Sequence, residues 1–192
     1  MTAQQKVNTR NTVLIVMVVF AALLRLFTYK FQYLSNFTPV GAIAMFGGIY
    51  FDKKWKAYAV VLLTLWASDV IINHGYTGKW SFWSIYTLWY SVCFSLTVLI
   101  GSLIKKVTWA NSLLIVLAPV AIHWLVMDIP GVTVQGYPVT VGGYIQSLTA
   151  AIPFEKNMLL GDLVYGLLLI GGFEFAKSKY TVLRSNTELA VA

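Results

Sequence analysis

Stretches apolar enough to enter a lipid bilayer recur six times along this chain, at 12–28, 38–51, 57–73, 82–104, 109–127 and 157–176. Spanning a bilayer as a helix takes about 20 apolar residues, within a range of about 17–25. Five of the runs meet that need. The second, with 14 residues, reaches only about 21 Å at ~1.5 Å per residue, so it is expected to be tilted within a bundle or partly re-entrant. Composition agrees: 58% of residues are hydrophobic and 11% charged, against about 45–50% and about 25% in soluble domains. The expected fold class is all-α, a polytopic membrane protein built as a six-helix bundle.

Between the runs lie short cationic clusters, and these test the helix count. With the N-terminus in the cytoplasm, that side receives Lys6, Arg10, Lys53, Lys54, Lys56, Lys105, Lys106, Lys177, Lys179 and Arg184. The outer side receives Lys30, Lys79 and Lys156. Ten against three is the bias that marks cytoplasmic loops, and it requires the short second run to count as a crossing. The net charge of +7 therefore reflects membrane topology, not nucleic-acid binding. The expected organisation is a cytoplasmic tail over 1–11, a membrane domain over 12–176 and a cytoplasmic tail over 177–192, in a bacterial inner membrane. The start, "MTAQQKVNTRN", is polar, and no A-x-A-like cleavage site follows, so the first run reads as a retained helix. A long outer connection, 128–156, carries three prolines and four glycines and is expected to act as a structured lid, with "TVGGYIQSLTAAIPF" forming a short interfacial or re-entrant helix within it. The final "SNTELAVA" is expected to be disordered.

With this topology, ionisable groups gather at one depth. Arg25, Asp69, His123 and Asp162 fall in the outer halves of four different helices, with Asp128 just past the end of the fifth. Charges inside a bilayer cost about 2.5–3.5 kcal/mol each on insertion scales and mark functional sites or internal pairs. Arg25 is expected to pair with Asp69, Asp162 or both. Helical spacing places Trp66, Asp69 and Asn73 on one stripe of the third helix; Trp83, Tyr86, Tyr90 and Cys93 share another on the fourth. Asp162 and Tyr165 begin a third stripe on the sixth. Aromatic walls with a few charged fixed points are the usual makeup of a small-molecule site. Taken singly, Trp80, Trp83 and Trp124 also fit an interfacial belt, and Cys93 fits a small buried hydrophobe. One cysteine allows neither an internal disulfide nor a cysteine metal cluster. Nothing calls for a metal or cofactor, and no nucleophile elbow, HExxH or DxD supports an enzyme.

"NFTPVGAIAMFGGIYF", then "SDVIINHG", then "AAIPFEKNMLLGDLVYG" resembles the pattern of a bacterial family of six-helix membrane proteins over most of 22–176. That family in turn resembles the substrate-binding S components of energy-coupling factor transporters, including solitary cobalamin-uptake proteins. The resemblance implies an S-component-like bundle that takes up a vitamin or a metal-containing compound. It carries over Asn36, Phe37, Thr38, Pro39, Gly41, Asp69, Asn157, Gly161 and Asp162. S components dock on a coupling protein through small residues in the first helix; here the nearest such pair is Ala44 and Gly48 in the second. The start "RLFTYKFQYLSNF" is longer than the family's and lacks its prolines, so ligand preference is expected to differ.

The expected function is a membrane transport protein that binds a small molecule at the outer side. Its expected ligand-binding residues are Arg25, Asn36, Trp66, Asp69, Trp83, Tyr86, Tyr90, His123, Asp162 and Tyr165. The expected partners are that ligand, membrane lipid and a coupling module reached through Ala44 and Gly48. The alternative is a non-transporting subunit or assembly factor of a larger membrane complex.

Overall fold

The structure is a computed structural model that describes residues 3–28 and 30–185. Those residues are almost wholly helical, with one isolated backbone bridge, Pro130 to Val134, and no strand. Six helical rods follow one another: α1 (Ala3–Thr28), α2 (Val40–Tyr50), α3 (Lys54–Thr77), α4 (Ile85–Leu103), α5 (Trp109–Met127) and α6 (Val141–Gly166). The last continues through a π-helical turn, Leu167–Gly171, into α7 (Gly172–Lys179). Five of the rods are long and apolar enough to cross a membrane, whereas α2 is not.

α2 is the axis of the molecule. Its 11 residues reach only about 16 Å, and all but Ile49 are buried. It packs chiefly against α4, with α3, α6, α5 and α1 around it. Small residues permit the close approach. A Cβ on Gly48 would collide with the Val98 carbonyl, and one on Gly101 would lie 2.8 Å from the Met45 carbonyl. Ala44 and Gly48, the pair expected to reach a coupling module, are thus consumed inside the chain. Phe46, Tyr50 and Phe173 stack edge-on at the far end of the core.

Both ends of α2 are matched to its dipole, as buried helix ends require. Asp162 of α6 accepts a hydrogen bond from the Ala42 amide at 2.8 Å. Lys54 Nζ donates to the carbonyls of Gly48 (3.0 Å) and Phe51 (3.2 Å). Pro39 stands at the N-cap, with no side-chain cap of its own.

The termini, the α2–α3 turn and the α4–α5 turn share one end of the bundle. Arg10 Nε donates to the Leu183 carbonyl, and its guanidinium pairs with Asp52 at 3.0 Å. Gly48 against Gly101 brings the end of α4 to the same level. The ten cations grouped by the sequence reading therefore flank one end, and Lys30 and Lys79 the other; Lys156, the third cation expected on that side, stands inside α6.

Two expected boundaries move. The polar N-terminal residues expected to form a cytoplasmic tail are helical from Ala3, and the buried Arg10 ties that turn to the Leu183 carbonyl and to Asp52. The expected 128–156 lid shrinks to 128–140: Thr140 caps α6 through the Gly143 amide, and the helix runs on through Pro153. The short connection is tied by Thr133, whose hydroxyl donates to the Val126 and Ile129 carbonyls, and by Gly131 and Gly136 at positive φ. Most of "SNTELAVA" lies outside the described residues.

Candidate functional site

A cavity of about 350 Å³ opens at the end of the bundle remote from the termini. Its walls come from α1, the connection after it, α3 and the start of α4. Arg25 and Asp69 form its charged floor, joined Nη2 to Oδ1 at 2.6 Å. The Arg25 Nη1 also donates to the Ser68 hydroxyl at 2.9 Å, and Ser68 in turn donates to the Leu65 carbonyl. This network fixes the guanidinium while leaving both charged side chains partly accessible, at 16% and 19%. The pair expected from matching depth is therefore present, with Asp69 as the partner.

Asn36 and Thr38 wall one side; Asn73 and Tyr76 of α3 and Tyr86, Thr87 and Tyr90 of α4 wall the other. Ser84 caps α4, accepting from the Thr87 amide, and so sets the direction in which that helix presents Tyr86 and Tyr90. The surface thus offers hydroxyl and amide groups, aromatic faces and one ion pair. Trp66 lines a smaller adjoining recess with Asp69, Thr87 and Tyr90, its indole held on the Phe82 carbonyl at 2.8 Å. Around the mouth, Tyr33, Tyr76, Trp80, Phe82 and Trp83 are exposed, the aromatic collar common at a membrane surface.

Of the ten expected ligand-binding residues, Arg25, Asn36, Asp69, Tyr86 and Tyr90 line this cavity and Trp66 its recess. Trp83 does not share the Tyr86–Tyr90 stripe, because α4 starts only at Ile85. Tyr165 packs its ring on Phe37, centroids 5.7 Å apart. Asp162 lies deeper, 2% exposed, at the N-terminus of α2 and apart from Arg25's partner set. Its carboxylate occupies the space a side chain on Gly41 would need.

The neighbours of Asp162 make one unit of the motif blocks. Asn157 donates to the Tyr33 and Ser35 carbonyls. Gly161 lets α6 approach the Thr38 backbone so closely that a Cβ there would lie 2.8–2.9 Å from it. Asn36 takes a left-handed conformation, φ 64°, which asparagine tolerates better than most residues. "NFTPVG" and "NMLLGD" are thus two halves of a clamp that holds the 33–42 segment against the cavity.

The expected lid does not cover this site. No residue of 128–156 lines the cavity. The first half of α6 lies instead on α5, where Tyr144 donates to the Leu125 carbonyl and Trp124 to the Leu148 carbonyl. The covering segment is the one after α1, through Phe31, Leu34 and Ser35.

His123 meets a partner that the sequence reading placed in a loop. Its Nδ1 lies 2.9 Å from Glu155 Oε1, with both residues buried. Glu155, Met158, Asp162 and Tyr165 are all buried at helical spacing, a pattern legible once 141–156 is taken as helix. Among the described residues no group of three His, Cys, Asp or Glu could hold a metal ion.

The profile of the DUF6580 family, a family of unknown function, matches residues 5–184. The chain belongs to that family. Neither a curated protein nor a solved structure matches the chain. The matched stretch runs from the first turns of α1 to the Arg10–Leu183 contact, and so covers the whole bundle and both halves of the clamp.

Proposed function

We propose that this family member is a small-molecule uptake protein, S-component-like in its manner, that takes its ligand into the cavity at the Arg25–Asp69 end. The observation that carries the reading is the cavity itself. Its volume, about 350 Å³, falls within the ordinary range for ligand sites, about 300–1,000 Å³. It is built from polar groups on a rigid pair of helices, roofed by a clamped segment. The ligand class that fits is a compact molecule with hydrogen-bonding groups at one end, for Arg25, Asp69, Asn36 and Asn73, and a flat or apolar portion for the tyrosines. The tendency of cation-rich loops to stay in the cytoplasm supports a cavity facing the outer side of the inner membrane. From there a ligand would be taken inward.

Native mass spectrometry of the protein extracted in mild detergent tests this. The expected result is a retained non-lipid molecule, lost from Tyr90→Ala and Arg25→Gln and kept by Trp109→Ala. Trp109 is 95% exposed at the opposite end of the bundle. No retained molecule, or one held equally by all three variants, would overturn the reading and favour a non-transporting subunit.

A further inference from the structure

Behind the tyrosine wall of the cavity lies a second polar centre that ligand binding leaves unused. His123 and Glu155 meet at 2.9 Å, 8% and 5% exposed. Glu155 Oε2 is buried and has no hydrogen-bond partner among the described residues. As a device for stability such a centre is poor, since desolvating two charges offsets their attraction. As a proton site it is well made. A carboxylate with a neutral imidazole carries one negative charge; one added proton makes the pair neutral, and the open Oε2 and the imidazole supply the places to receive it. Histidine is the side chain whose ordinary titration falls within about pH 5–8.

Tyr90 joins this centre to the cavity. It lines the cavity, and its ring stacks on the imidazole, centroids 5.7 Å apart and planes 24° apart. An aromatic face stabilises a cation placed over it, so the protonated imidazole prefers Tyr90 where it stands. We infer that His123 and Glu155 form a proton-binding site whose charge state is coupled through Tyr90 to occupancy of the cavity, making uptake proton-linked. The ligand side of this inference rests on the binding reading above.

The other ionisable groups around the pair suit the role. α4 contributes Tyr90 and Cys93, within electrostatic range of Glu155. Beyond Tyr90 lie Arg25 and Asp69. Along α6, Lys156 is exposed and the next buried ionisable group is Asp162, already committed to the Ala42 amide. α2, which also packs on α5, brings no ionisable group before Tyr50 at its far end. At the C-cap of α5 stands Asp128, partly exposed and within range of both His123 and Glu155. Burial, then the neighbouring Glu155, push its carboxyl above the ordinary range, against a smaller pull from His123.

The test uses the full chain in lipid nanodiscs with ¹⁵N-labelled histidine. The chain has 2 histidines, His74 and His123, and the His74→Gln variant assigns the ring signals. A pH titration of the His123 ring signals then follows its proton. Part of the cavity is then occupied covalently: Asn73→Cys, in a Cys93→Ala background, is capped with benzyl methanethiosulfonate, which leaves a benzylthio group on the wall. Coupling predicts a change in His123 proton affinity of about 5-fold or more on capping, the low end of ordinary coupling between sites. A His123 that keeps one protonation state throughout, or a midpoint that capping leaves in place, overturns the inference. The two readings fail separately. A retained molecule with a silent His123 removes the proton site alone; a coupled titration in a protein that retains nothing removes the ligand reading alone.

Discussion

A carboxylate in the middle of an apolar helix needs a partner, and for Asp162 that partner is a backbone amide. The hydrogen bond to Ala42 satisfies one orphan donor of the first turn of α2. Leaving such a buried donor without its acceptor costs about 1–3 kcal/mol. Asp162→Ala is therefore expected to lower thermal stability in detergent, and Asp162→Asn less so, because the amide oxygen can still accept. Gly41→Ala should also destabilise, since its Cβ would strike the carboxylate. The two changes should not add: with the carboxylate gone, Gly41→Ala costs less than in the wild type. Additive losses in a double-mutant cycle would contradict the capping account. The sequence showed which charges share a depth, and Arg25 with Asp69 follows from that. It could not show that Asp162 answers to an amide, because a backbone donor has no residue type to read.

Among the elements, α2 carries the greatest structural demand. It is too short to cross a bilayer and is closed on every side, so its neighbours must come close. Gly48 and Gly101 face one another across α2 and α4, and no rotamer can relieve a side chain that meets backbone atoms. Overpacking of a tight core ordinarily costs about 1–3 kcal/mol. Gly48→Val should reach or exceed that range and lower the unfolding midpoint sharply, whereas Gly172→Ala, which meets nothing within 4 Å, should leave it in place. Equal stability of the two variants would mean that α2 does not pack as described. The shortness of α2 was plain from its 14-residue run. The first half of α6 was legible only in part: "TVGGYIQSLTAAIPF" read as a short interfacial or re-entrant helix, but Pro153 read as its end, and contact with α5 through Tyr144, Leu148 and Glu155 carries the helix on into the sixth run. Glu155 was missed for that reason.

At the scale of the whole molecule, the bundle has two unlike ends. One is closed and cationic, locked by Arg10 on Asp52 and Leu183 and by Tyr50 and Lys177 on Glu174. The other is open and aromatic, with the Arg25–Asp69 pair at the bottom of a cavity. Hydropathy and charge bias made this polarity legible, because both follow from the bilayer acting on residue type. The roof of the cavity was not legible, since it depends on a clamp between segments about 120 residues apart, Asn157 to Ser35 and Asp162 to Ala42. The central claim is that this end of the bundle is a ligand site, and an experimental structure of the protein purified in mild detergent tests it most directly. The account predicts density for a compact non-lipid molecule among Arg25, Asp69, Asn73 and Tyr90. A cavity closed by repacked side chains, or filled by an acyl chain entering from the bilayer, would contradict it.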